Sequence, residues 1–170
     1  MTDLFTHMLV GYCLATVLSW HVDWITPPLV TLAMGGAILP DLNRIDLLVS
    51  DELIATMLGI PFSWMPLHRV GGTLLVVCLG ALLTSARHRR AVFALLALGA
   101  SSHYTLDFLL YKPSGVSSPL LWPFITHGFA IDGIFVSTDR WPAAVALLAA
   151  ATVWLVDRRR ASYQATHRDS

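Results

Sequence analysis

The sequence predicts an all-α fold, a polytopic membrane helical bundle of about five transmembrane or re-entrant helices plus an interfacial helix. Three observations carry that expectation. Of the 170 residues 55% are hydrophobic and only 13% charged, a balance far from that of an ordinary soluble protein. Apolar runs cover residues 4–20, 27–40, 70–86, 91–111 and 142–156, separated by short polar or proline-marked breaks. Seven of the eleven basic residues fall in Arg87, Arg89, Arg90, Arg158, Arg159, Arg160 and Arg168. Under the positive-inside rule these clusters belong in the cytoplasm. One integral-membrane domain is expected over residues 1–160, with a polar C-terminal tail over 161–170.

The first run is expected to be retained, because MTDLFTH carries Asp3 and His7 where a signal peptide would carry a basic segment. The second, TPPLVTLAMGGAILP, holds about 15 residues against the ~20 needed to cross a bilayer core, so a thinned or partly re-entrant span is expected. Between Leu42 and Leu67, apolar residues sit beside Asp46, Asp51 and Glu52 and then meet Pro61 and Pro66, the pattern of an interfacial amphipathic helix followed by a turn. The runs over 70–86 and 91–111 form a third and a fourth span. The stretch from Lys112 to Arg140, with Pro113, Pro119 and Pro123, is expected as loop. Trp122 and Trp141 suit the headgroup level there. A fifth span, PAAVALLAAATVWLV, leads into the tail, which is expected to fray.

Arginine placement orients the bundle as a multi-pass protein of the cell membrane with the N-terminus outside and the C-terminus cytoplasmic. With that orientation His7, Asp41, His68, His103 and Asp107, contributed by four separate segments, fall toward the outer face. His103 and Asp107 are one helical turn apart and share a helix face. An ionised carboxylate at membrane depth costs about 2.5–3.5 kcal/mol on insertion scales, so a compensating cation is expected. Imidazole and carboxylate at this spacing suit a divalent metal ion, zinc being the expected one. The alternative for the pair is a hydrogen bond between helices. Asp41 follows Pro40, which cannot continue helical hydrogen bonding, so it turns out at the membrane edge as a ligand or as a solvated helix-terminal acid. Arg69, beside His68, is a fixed cation able to pair with Asp41, clamp a phosphate or anchor in headgroups.

Other motifs carry less. His127 and Asp132 are expected to be solvated in the outer loop, while His21, His88 and His167 fall on the inner face or the tail. Cys13 and Cys78 lack CxxC spacing and are expected as small buried hydrophobes. No basic stripe interleaved with aromatics points to nucleic acid, and there is no phosphate loop and no GxSxG nucleophile motif. Membrane lipids are the expected surroundings.

The order of motifs is an N-terminal histidine (His7), LPD closing an apolar run (Leu39 to Asp41), HR opening the next (His68, Arg69), then GxxSHxxxD (Gly99 to Asp107) leading through Pro113 to PLLWP at Pro123. It resembles the YdjM-like membrane-bound metal-dependent hydrolases. The likeness runs to about Phe124; the last span matches by hydrophobicity alone. The family's second acid in LPDxD is Asn43 here, and its second histidine in HRxxTH is Thr73. Asparagine still offers a hard cation a neutral oxygen, whereas threonine replaces imidazole poorly, so either two sites built for two cations hold one or activity is lost.

The resemblance implies a membrane-embedded divalent-metal-dependent hydrolase. His68, His103, Asp107 and either Asp41 or His7 would hold the cation. An unligated Asp41 would accept a proton from water, and Arg69 would stabilise developing negative charge. Location at headgroup depth makes a lipid or phosphoester the expected substrate class. The rival reading is a non-catalytic membrane protein, either a degenerate metal binder or an ion or proton transporter. A transport path needs polar residues through the whole thickness, and the inner halves of the spans read as almost wholly apolar.

Overall fold

Helices form along the apolar runs and stop where proline, glycine or a charge cluster interrupts them. The computed structural model describes residues 4–113, 119–128 and 133–168. Among these the chain is all-helical: α1 (Leu4–Ser19), α2 (Pro27–Gly36), a 3-10 segment η1 (Leu39–Leu47), α3 (Asp51–Leu58), a second 3-10 segment η2 (Met65–His68), α4 (Val70–Leu82), α5 (Arg89–Phe108) and α6 (Trp141–Arg168). A single parallel bridge between Leu110 and Phe135 is the only extended pairing among the described residues.

Length separates the helices. At 1.5 Å per residue α2 and α4, with 10 and 13 residues, are shorter than a hydrocarbon core of about 30 Å. The segment Trp141–Tyr163 of α6 is long and apolar enough to cross a membrane, and only 11% of its apolar window is buried. The helix continues through Arg168, so the backbone of the polar tail is helical where fraying was expected.

The span expected to end at residue 40 instead ends as α-helix at Gly36, and the LPD motif winds on as η1. Pro40 lacks the N–H that an α-helical continuation needs. The interfacial segment is likewise broken into three pieces, not one helix. Ser50 caps α3 by accepting from the Leu53 amide at 3.2 Å, and Gly59, at φ 67°, ends it in the left-handed region that suits glycine. No residue of α3 is buried, and Leu47, Leu48 and Met57 near it are widely exposed.

In the bundle, α5 packs against α2, α1 and α4, while α1 also meets α2 and α6. The α2–α5 crossing is close because Gly36 and Gly99 face each other's helices. A Cβ on Gly36 would run into the Leu96 carbonyl, and one on Gly99 into the Ala33 carbonyl. The core around Ala15, Ile25, Val30, Ala33 and Leu95 locks this crossing. Cys13 and Cys78 are free and only half-buried, because both lie off that core.

Chain direction then sorts the polar residues. His7 near the start of α1, Ala37 after α2, His68 before α4 and Asp107 near the end of α5 share one end of the bundle. Arg87, Arg89 and Arg90 lie at the opposite end of α5, and Arg160 packs over the Trp20 ring just past the end of α1. At this arginine end the apolar expectation for the inner halves is incomplete. A cavity of about 690 Å³ opens there, lined by Tyr12, Thr16, Ser19, Asp23, Asp157 and Arg160 among others. Thr16 Oγ1 is buried in its wall without a partner, and Trp20 Nε1 donates to Asp157 Oδ1 at 2.9 Å. Trp20, just past α1, thus meets a partner 137 positions away, which no local pattern reveals.

Candidate metal centre

The site begins from two backbone carbonyls, one of them left without an intrahelical partner by a helix C-terminus. The Ala37 carbonyl, freed by the end of α2, accepts from His103 Nδ1 at 2.8 Å. The Pro40 carbonyl, in η1, accepts from His68 Nδ1 at 2.9 Å. A carbonyl can only accept, so each Nδ1 carries a proton and each Nε2 is directed elsewhere. Gly99 sets the depth of α5 against α2, and His103 follows one turn later with Asp107 another turn on.

The Nε2 atoms converge on one carboxylate. Asp107 oxygens lie 3.1 Å from His68 Nε2, 3.4 Å from His103 Nε2 and 3.7 Å from His7 Nε2. The His7 and His103 rings stack, with centroids 3.9 Å apart and planes 17° from parallel, and His68 meets His103 edge-on at 5.4 Å. Asp41 lies beside this group, its Oδ1 3.7 Å from His68 Nδ1 and its Oδ2 3.1 Å from Arg44 Nη2. His7 and His103 are fully buried, Asp41 and Asp107 nearly so. Two triads have ligand atoms within 4.8 Å of one another: His7, His103 and Asp107, and Asp41, His68 and His103.

The donor set fits a cation on two counts. Both ring nitrogens of His7, His103 Nε2, both Asp41 oxygens and Asn43 Oδ1 are buried with no hydrogen-bond partner among the described residues, although leaving such a group unsatisfied costs about 1–3 kcal/mol. The Asp41–Arg44 contact lacks hydrogen-bond geometry and acts through charge alone. Tetrahedral coordination at about 2.0–2.1 Å also puts neighbouring ligand atoms roughly 3.4 Å apart, and the Asp107 contacts of 3.1–3.7 Å bracket that edge. A buried His/Asp group able to hold a metal ion is therefore present.

Burial pushes the Asp41 carboxyl above the usual carboxylate range, against the opposing pull of His103, Arg44 and His68. For His68 burial acts to lower the imidazole, but its hydrogen bond and attraction to Asp107, with the Pro40 carbonyl and Asp41, outweigh it and raise the value. Since His68 Nδ1 already donates to Pro40, its short contact with Asp107 needs a proton on Nε2, at the position a cation would take.

The structure thus brings together His7, Asp41, His68, His103 and Asp107. Of the roles open to Arg69, pairing with Asp41 is not the one seen. Its guanidinium lies 5.6 Å over the Trp122 ring, and the arginine against Asp41 is Arg44. Arg44 stands three residues on from Asp41, the i,i+3 spacing that lets a helical turn pair them. Thr73 Oγ1 donates to the Leu67 carbonyl at 2.8 Å and shares a 2.6 Å hydrogen bond with the Tyr104 hydroxyl, a contact no spacing announces. His127 is exposed in its loop, and His88 Nδ1 pairs with Ser85 Oγ at 2.9 Å. Asp132 lies outside the described residues.

The model of the YdjM inner membrane protein family matches residues 1–167. The chain belongs to the YdjM family. Neither the curated proteins nor the solved structures give a match to it. Membership in an inner membrane family accounts for the apolar α6 surface, most of which stays exposed although α1 packs against one side of it.

Proposed function

We propose that the chain is a multi-pass inner membrane protein whose His/Asp centre holds a divalent cation, zinc in the first instance, and hydrolyses a lipid or other phosphoester at the extracytoplasmic face. The observation that supports this most is the set of buried, unpartnered ring nitrogens and carboxylate oxygens concentrated at His7, His103 and Asp41. His7, His68, His103 and Asp107 would hold the metal. When bound, such a cation lowers the pKa of a coordinated water and polarises the scissile group.

The chain's own residues supply the rest. Asp41, adjacent to the ligands yet with Oδ1 free of any hydrogen bond, is placed to accept the proton from water. The carbonyls of Ala37 and Pro40 hold the His103 and His68 rings in orientation through Nδ1. Arg44, about one-third exposed beside Asp41, faces outward as a cation for an anionic substrate group. Arg69, which makes no ion pair among the described residues, is a second such cation. The centre lies where α1 and α4 begin and α5 ends, so a headgroup ester would reach it at the membrane boundary.

The test is metal content and hydrolysis of a phosphodiester and phospholipid panel by detergent-purified protein. Stoichiometric zinc, hydrolysis abolished by chelation, and an Asp41→Asn variant that keeps zinc but loses turnover support the reading. Zinc without turnover on any ester would remove the hydrolase half of it. A second reading, cation translocation, draws support from the polar cavity at the arginine end. Zinc flux into proteoliposomes that depends on both His103 and Asp157 would favour that reading instead.

A further inference from the structure

A second concave site lies at the other end of α5. Some 13 residues separate Arg90 from His103, so at 1.5 Å per residue this site is about 20 Å from the metal centre. A groove of about 760 Å³ runs there between the α1–α2 connection and the start of α5. Trp24, Leu29, Ala91 and Ala94 give it an apolar wall, and Arg87 and Arg90 stand in its lining without any acidic residue. Arg89, by contrast, is occupied, donating from Nε to the Thr84 carbonyl at 3.3 Å. Among the described residues neither the Arg87 nor the Arg90 side chain has a hydrogen-bond or ion-pair partner.

We propose that this groove binds the phosphate of an anionic phospholipid, with Arg87 and Arg90 on the phosphate and an acyl chain along the Leu29, Ala91 and Ala94 wall. Guanidinium is the side chain best shaped for a phosphate, which it meets with paired N–H donors. Two unpaired guanidinium groups with no carboxylate between them make the lining complementary to an anion. The apolar wall selects a lipid over free phosphate, because an inorganic ion gains nothing from Leu29 or Trp24. Trp24 is half exposed at the rim, the amphipathic position tryptophan takes at headgroup level. Membership in an inner membrane family puts such lipids within reach of this rim.

The experiment uses the full-length protein in detergent, with phosphatidylglycerol and phosphatidylcholine as probes and native mass spectrometry as the readout. One phosphatidylglycerol is expected to stay bound per chain, with phosphatidylcholine released. Each arginine near an anionic lipid is worth about fivefold, so Arg87→Gln with Arg90→Gln is expected to weaken phosphatidylglycerol binding about 30-fold. Arg158→Gln with Arg159→Gln, which removes the same charge outside the groove, is expected to leave binding unchanged. Ala94→Trp keeps both arginines but fills the wall, and is expected to lose the lipid, which tests the groove independently of charge. Equal retention of phosphatidylcholine, equal loss in the Arg158 and Arg159 variant, or full binding by Ala94→Trp would each overturn the proposal. Displacement of the lipid by equimolar inorganic phosphate would also overturn it and assign the groove to the free anion.

Discussion

Removing the cation offers the most direct perturbation, because His103 belongs to both candidate triads while His7 and Asp41 each belong to one. A ligand that binds only the folded state at 100 times its Kd adds about 2.7 kcal/mol of stability. For a chain of this size each kcal/mol moves Tm by about 2–4 °C, so zinc is expected to raise Tm by about 5–10 °C over the chelated protein. His103→Ala removes the imidazole common to both triads and is expected to abolish that shift. His7→Ala leaves Asp41, His68 and His103 together and is expected to keep part of it. Each variant is compared with itself, with and without zinc, in thermal unfolding followed by tryptophan fluorescence, so any destabilisation by the lost imidazole cancels. The same Tm in chelator and in zinc for the wild type, or an undiminished shift in His103→Ala, would sink the reasoning.

The zinc-induced shift is expected to grow as pH rises, because zinc must displace the proton that Asp107 helps keep on His68. In chelated protein the sign reverses. The raised His68 value contributes stability that is fully present below the unfolded imidazole value of about 6.5 and is lost as pH climbs through the folded one; thermal unfolding in chelator and in zinc across that window checks both. Gly99→Ala would drive a Cβ into the Ala33 carbonyl and is expected to cost about 1–3 kcal/mol in a denaturation series. By displacing the Ala37 carbonyl from His103 Nδ1 it should also weaken zinc binding about 10–100-fold in competition with a chelating dye. Elemental analysis is expected to find one zinc in Asn43→Asp and two only when Thr73→His is added.

Much of the architecture was legible because hydrophobic runs and their interruptions are local properties. The helices over 4–19, 70–82 and 89–108 lie where apolar residues run without proline. The interfacial segment was harder. Its apolar residues suggest one amphipathic helix, but Ser50 and Gly59 cap a short α3 inside it, and Asp51 Oδ1 accepts from the Trp64 amide at 2.8 Å to fold the next turn back. The i,i+4 spacing of His103 and Asp107 is likewise local and was visible. What held the two rings in place was not, since Ala37 O lies 66 positions from His103 and Pro40 O lies 28 from His68. Backbone carbonyls carry no sequence signature.

On the proposed reading, Thr73 and Asn43 make one cation a better fit to this centre than two. Where the resemblance would put an imidazole, Thr73 offers a hydroxyl that already donates to Leu67 and bonds to Tyr104, tying α4 to α5 instead of facing a metal. Asn43 keeps a buried oxygen with no partner, but a neutral amide compensates a second dication weakly, and Asp41 is already drawn toward Arg44. If a single cation takes His7, His68, His103 and Asp107, as proposed, Asp41 is left free of metal although it belongs to a second triad with His68 and His103. On the proposed reading that freedom is useful. A buried carboxylate whose burial favours the protonated form, set beside a single metal and not locked onto a second, is the group best able to take a proton from water and give it up again.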